Sequence, residues 1–133
     1  MSEPISILVV DDDRALLDIL VSLLQAEGHQ VESVPSAFEA LERLRDGSFD
    51  LILADLKMRR MNGLELLEAA RVKNPRARVA IMTAFATVAT AVEAMRKGAF
   101  DYLSKPFHLA ELRDLLQRAA EAKAQAAREE VPR

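Results

Sequence analysis

The sequence predicts an α/β fold, a doubly wound, five-stranded parallel sheet flanked by five helices. Three observations lead there. Short apolar runs rich in branched residues recur at residues 5–10, 30–34, 51–54, 78–82 and 101–103. Segments with helical spacing separate them, and strands alternating with helices build a parallel sheet covered on both faces. The chain has 133 residues, half of them hydrophobic, enough for one domain with one sizeable core. Right-handed crossovers then place helices on both sides of the sheet.

The first strand, residues 5–10, runs into Asp11-Asp12-Asp13, with Asp13 placed to cap the following helix. That helix, residues 14–27, sets Leu16, Leu20 and Leu23/Leu24 on one face. Gly28, Gly47 and Gly98 stand where helices should stop, because glycine accepts the left-handed backbone that ends a helix. Asn74-Pro75 ends the third helix differently, since a residue before proline avoids helical angles. Ser36 with Glu39, and Asn62 with Glu65, have the spacing of a cap and its reciprocal acid. The fourth helix, residues 87–97, carries Val88, Ala91/Val92 and Met95 as an expected core stripe. The fifth, residues 109–130, offers Leu109, Leu112, Leu116 and Ala119/Ala120 to the sheet. We expect a domain over residues 1–120, then a helical extension or the start of a linker to an output domain over residues 121–133.

Composition excludes several chemistries. There is no cysteine, hence no disulfide, zinc–thiolate site or cysteine nucleophile. Two histidines, His29 and His108, are too few for a histidine-rich metal site, and both read as ordinary loop residues. A net charge of −3 argues against general nucleic-acid binding. No apolar run reaches membrane-spanning length, and Met1-Ser2-Glu3-Pro4 lacks a signal-peptide pattern, so a cytoplasmic location is expected.

Ligands of open parallel sheets bind beyond the carboxyl ends of the strands. There the sequence places Asp11 and Asp12, then Asp55, Thr83 and Lys105-Pro106. Clustered carboxylates repel unless a hard cation or a shared proton neutralises them. Oxygen donors without histidine or cysteine suit Mg²⁺, with Mn²⁺ possible. A carboxylate can also attack phosphorus and form an acyl phosphate. The residues therefore point to a magnesium-dependent phosphoryl site without choosing its nucleophile. Taken singly, each residue also fits a turn, a cap or a solvated loop.

Leu8-Val9-Val10-Asp11-Asp12-Asp13, Leu53-Ala54-Asp55, Met61-Asn62-Gly63, Met82-Thr83-Ala84 and Lys105-Pro106-Phe107 together resemble the response-regulator receiver family over about residues 5–118. Residues 98–107 look most like receivers of NtrC-type transcription activators. The resemblance implies a flavodoxin/CheY-like strand order 2-1-3-4-5. It implies that Asp55 accepts a phosphoryl group from a sensor histidine kinase. Asp12, Asp55 and the Lys57 backbone carbonyl would bind Mg²⁺ directly, and Asp11 through a water. Lys105 and Thr83 would hold phosphoryl oxygens, and Tyr102 would turn inward as Thr83 moves. The Lys105–Pro106 bond would be cis. Such a domain is a switch rather than a metabolic enzyme, with no direct nucleic-acid or membrane contact. Its fourth helix, fifth strand and fifth helix would change on phosphorylation, to control transcription through an output domain. That face carries Arg96, Lys97, Asp101, Glu111, Arg113 and Arg118, charges that fit either a homodimer contact or a solvated surface.

Two positions depart from the family pattern. Arg59-Arg60 replaces the usual proline and glycine after Met58. This loosens the loop, alters docking of the kinase, or is surface drift. Phe85, two residues after Thr83, is expected to shield an acyl phosphate from water. Three alternatives stand beside the leading one. They are a stand-alone chemotaxis-type receiver, a haloacid-dehalogenase-type phosphatase, and a receiver-like module that only binds protein. The phosphatase fits poorly, because Asp11-Asp12-Asp13-Arg14 lacks its nucleophile pattern. The complete acidic pair with Asp55, Thr83 and Lys105 weighs against the binding module.

Overall fold

Ten elements alternate along the chain: β1 Ser6–Val10, α1 Arg14–Ala26, β2 Gln30–Val34, α2 Ala37–Asp46, β3 Leu51–Asp55, α3 Gly63–Lys73, β4 Val79–Thr83, α4 Val88–Arg96, β5 Asp101–Ser104 and α5 Leu109–Glu129. They are those of a computed structural model that describes residues 3–129. All strand pairs are parallel, in the order β2-β1-β3-β4-β5. The expected strands lie within a residue of those found.

Strand position follows from apolar content. β3 and β4 are buried along their whole length and β1 from Ile7 onward, so their runs lack alternation. β2 and β5 form the edges and keep polar residues. The pleat sends Leu8, Val10, Ile52, Val79 and Ile81 towards α2, α3 and α4. Ile7, Val9, Leu51, Leu53 and Met82 face α1 and α5 instead.

Helix starts behave largely as their sequences suggest. The Asp13 side chain accepts from the Leu16 N–H, and Asn62 with Glu65 forms a complete capping box. Ser36 accepts from the Glu39 N–H, but Glu39 returns only to the Ser36 hydroxyl, 3.4 Å away, so this box is half formed. A further capping box, without the usual acid, joins Thr87 to Thr90.

Several expectations are corrected. The α4 stripe is not core. Val88 is 82% exposed, and Val92 and Met95 also face outward, while Ala94 is the buried residue of this helix. α4 leans on the sheet through its Thr90–Ala94 side, because a small side chain permits closer approach than a branched one. In α1 the inward stripe is Leu17, Leu20 and Leu24, with Leu16 partly buried and Leu23 at the rim. Leu20 and Leu24 are thus buried as expected, and only Leu16 gives way, to Leu17. Leu109 is likewise exposed, and Leu115 joins the buried side of α5. Gly28 and Gly98 do take positive φ, but Gly47 ends α2 in an extended conformation. His29 is buried, and its Nδ1 accepts from the Ile5 N–H at 3.1 Å.

α5 runs on unbroken to Glu129, and Lys123 reaches back to Asp50 at 3.1 Å. Glu130, expected as the end of this helix, and the rest of the tail lie outside the described residues. The charges weighed for a homodimer are largely engaged within the chain. Arg118 pairs with Asp101, Arg113 with Glu27 and Lys97 with Glu68. Among the described residues, no helix is long and apolar enough to cross a membrane.

Candidate functional site

The carboxyl ends of three adjacent strands supply the site. β1 delivers Asp11 and Asp12, β3 ends on Asp55, and β4 ends on Thr83. Register sets Asp55 beside Met82 and Thr83 beside Ser104, which brings Lys105 alongside. One carboxylate oxygen from each of Asp11, Asp12 and Asp55 lies within 4.8 Å of the others. Lys105 Nζ spans two of them, 2.8 Å from Asp11 Oδ2 and 3.1 Å from Asp55 Oδ1. The Lys105–Pro106 peptide is cis, as the resemblance implies.

The electrostatics follow from this crowding. Asp11 and Asp55 are buried, whereas Asp12 is exposed. Burial raises the Asp55 carboxyl above its usual range, and the neighbouring Asp11 charge raises it further, with Lys105 opposing both. Burial alone would depress the Lys105 ammonium, but its hydrogen bonds to Asp11 and Asp55 prevail and raise it. Asp11 Oδ1 also accepts from the Asp13 N–H at 2.9 Å, which orients its carboxylate. The set is oxygen-only, and its three carboxylates carry two more negative charges than the one ammonium within it can neutralise. That suits a hard divalent ion.

The loop after β3 folds back tightly over the site. The Gly63 N–H donates to the Leu56 carbonyl at 2.9 Å. A Cβ on Gly63 would lie 2.5 Å from the Asp55 carbonyl oxygen, so only glycine fits there. Its place in Met61-Asn62-Gly63 was legible, but the reason for it was not. Arg60 has φ +69°, a left-handed backbone that glycine adopts without strain. Where the family pattern has glycine, arginine here stands in a conformation that favours glycine. Arg59, with Lys57, Met58 and Thr90, lines a cleft of about 560 Å³ that reaches Asp12.

Opposite, Thr83 is fully buried and its Oγ1 accepts from the Phe85 N–H at 3.0 Å. The Phe85 ring is 61% exposed and lies beneath Lys57 Nζ, 4.3 Å from its centroid. Tyr102 is half-buried, with its hydroxyl 2.5 Å from Thr90 Oγ1. Thr90 was not singled out in the sequence. Its one signal is the spacing of Thr87 and Thr90 across the first turn of α4.

A family model described as the response regulator receiver domain matches residues 7–117. The transcriptional regulatory protein ZraR of Klebsiella oxytoca is 44% identical over 117 residues, covering 88% of this chain and 26% of that protein. The DNA-binding transcriptional regulator NtrC of Azospirillum brasilense is 41% identical over 114 residues, covering 86% of this chain and 24% of that protein. This chain therefore spans about a quarter of the length of these curated relatives. Among solved structures, a response regulator receiver domain protein from Clostridium thermocellum superposes with a TM-score of 0.86 at 30% identity, covering 91% of this chain and 98% of that one. NtrX from Brucella abortus superposes with a TM-score of 0.89 at 30% identity, covering 98% of this chain and 30% of that one.

Proposed function

The chain belongs to the response regulator receiver domain family, and on that basis we propose that Asp55 is its phosphoacceptor. The observation that carries this reading is the triad of Asp11, Asp12 and Asp55 with Lys105 bridging two of its members. Mg²⁺ fits the oxygen-only donor set, where Asp12, Asp55 and the Lys57 carbonyl would hold it directly and Asp11 would act through a water. When bound, such an ion offsets carboxylate charge and polarises phosphoryl oxygens. Asp55 Oδ attacks phosphorus of a phosphohistidine on a sensor kinase. The phosphorus–nitrogen bond breaks, and the imidazole leaves with that electron pair and takes a proton from water. Lys105 turns from Asp55 to the new phosphoryl group, and the Thr83 hydroxyl donates to another of its oxygens. The added charge of about −1.5 to −2 then shifts the population of the α4–β5–α5 face.

The domain acts on no substrate but its own Asp55, in the cytoplasm. It controls transcription through an output domain joined by the extension of α5, a role favoured by the transcription regulators it resembles. The outward Val88, Val92 and Met95 favour a homodimer through the α4–β5–α5 face. Two measurements test the reading. Phosphoramidate with Mg²⁺ should add one phosphoryl group by intact mass, and Asp55→Asn should abolish this. Lys105→Ala should slow it at least about tenfold, since a paired cation at a developing charge contributes on that scale. An unmodified wild type, or a fully modified Asp55→Asn, contradicts the assignment. The expected shielding by Phe85 is tested by Phe85→Glu, which should lose the phosphoryl group faster. An unchanged lifetime removes that role.

A further inference from the structure

The first turn of α4 carries a hydroxyl that serves two structures at once. Thr87 and Thr90 close the helix start reciprocally. Thr87 Oγ1 accepts from the Thr90 N–H at 3.1 Å, and Thr90 Oγ1 accepts from the Thr87 N–H at 3.2 Å. Thr90 Oγ1 also lies 3.1 Å from the Thr87 carbonyl and 2.5 Å from the Tyr102 hydroxyl. A threonine hydroxyl has one proton and two lone pairs. The carbonyl can only accept, so the Thr90 proton goes to it. With its proton there, the two lone pairs are open to the Thr87 N–H and to the Tyr102 O–H. The Thr87 hydroxyl is a further neighbour at 3.0 Å, and the tyrosine at 2.5 Å makes the shortest of these contacts.

The same cap is tied to the candidate phosphoryl site by a short path. Thr83 Oγ1 holds the Phe85 N–H, and only Ala86 separates Phe85 from the capping Thr87. Register sets Tyr102 beside Ile81, so Tyr102 and Thr83 share the sheet face that α4 covers. Any displacement of Thr83 Oγ1 pulls on the loop that ends in the cap, and the cap holds the tyrosine. Along this path Thr90 links the two, with its hydrogen bonds going to Thr87 and Tyr102.

We propose that Thr90 is the positioning residue of the switch, holding Tyr102 through its hydroxyl until movement of Thr83 disturbs the α4 cap and frees the ring. This rests on the reading that Asp55 is phosphorylated. A threonine here matters in kind. Valine keeps the shape and the backbone half of the cap but can neither accept from the Thr87 N–H nor hold the phenol, whereas serine can do both.

The chain reports on this directly, since Tyr102 is its one tyrosine and it has no tryptophan. Tyrosine emission and anisotropy of the full chain would be recorded with and without beryllofluoride and Mg²⁺. In wild type the signal should change on addition. Thr90→Val should show the changed signal before addition, and Thr90→Ser should behave as wild type. Beryllofluoride should bind Thr90→Val about fivefold tighter, the equivalent of one neutral hydrogen bond of about 1 kcal/mol that no longer has to be broken. Tyr102→Phe leaves the cap intact and should tighten binding by a similar factor. The double variant should gain nothing further, because the Thr90–Tyr102 bond is the one both changes remove. A ground-state signal in Thr90→Val equal to that of wild type, or additive gains in the double variant, overturns the proposal. A wild type that does not bind beryllofluoride at all overturns the phosphoacceptor reading beneath it, whatever Thr90→Val shows.

Discussion

At the scale of single residues, the most informative positions are those that contradict their own preferences. Arg60 holds a left-handed backbone without being glycine. Arg60→Gly should raise stability by about 0.5–1 kcal/mol in urea denaturation, the relief of strain less glycine's larger unfolded-state entropy. An unchanged or lower midpoint would mean that the arginine side chain contributes contacts of its own. His29 was read as an ordinary loop residue and is buried. Burial pushes its imidazole below the usual value near 6.5, with Glu27 opposing weakly, and Nδ1 is occupied by the Ile5 N–H. The unfolded chain therefore binds the proton more readily than the folded one. The stability contributed by neutral His29 is present above its unfolded pKa and is lost as pH falls below it. Between about pH 7.5 and 5.5, wild type should lose more stability than His29→Gln. Equal losses would show that His29 takes no part. Composition and spacing showed neither case, because a backbone angle and a burial depend on how distant segments meet.

At the scale of elements, α4 separates what periodicity reveals from what it hides. The helix carries two candidate stripes, Val88–Val92–Met95 and Thr90–Ala94. Hydrophobicity favours the first, but the protein turns the second inward, with Ala94 buried and Thr90 partly so, since alanine and a bonded threonine let the helix lie close to β5. The exposed stripe contributes little to the fold. Val88→Lys should alter stability by no more than about 0.5 kcal/mol, as surface changes usually do. If the stripe is a homodimer contact, the same change should lower the mass in solution of the beryllofluoride-bound protein to that of a monomer. A marked loss of stability would place Val88 in a packed environment that its 82% exposure rules out. The other elements were legible because their signals were redundant. Asp13, Asn62 and Ser36 mark starts, and Gly28 and Gly98 mark ends by the left-handed turn they permit. In α1 the expected stripe holds at Leu20 and Leu24 but starts at Leu17 rather than Leu16, because these neighbours offer two adjacent stripes of equal hydrophobicity.

At the scale of the whole molecule, topology turns separate residues into a site. Asp11, Asp55, Thr83 and Lys105 are scattered along most of the chain, and parallel strands in the order β2-β1-β3-β4-β5 bring them to one edge. This was legible because runs of buried strand end abruptly on polar residues. The partnership of Lys105 with both Asp11 and Asp55 was not, since it depends on which rotamers the edge permits. Nor was the path through Thr87 and Thr90, which needs the loop after β4 to be seen in place. What geometry alone does not choose is the nucleophile, because Asp12 and Asp55 both contribute oxygens to the triad. The direct test treats the protein with phosphoramidate and Mg²⁺, reduces the acyl phosphate with borohydride, and maps the product by peptide mass spectrometry. Homoserine should appear at position 55 and nowhere else. Homoserine at position 11 or 12, or at no aspartate, would contradict the assignment of Asp55 as the residue that carries the phosphoryl group.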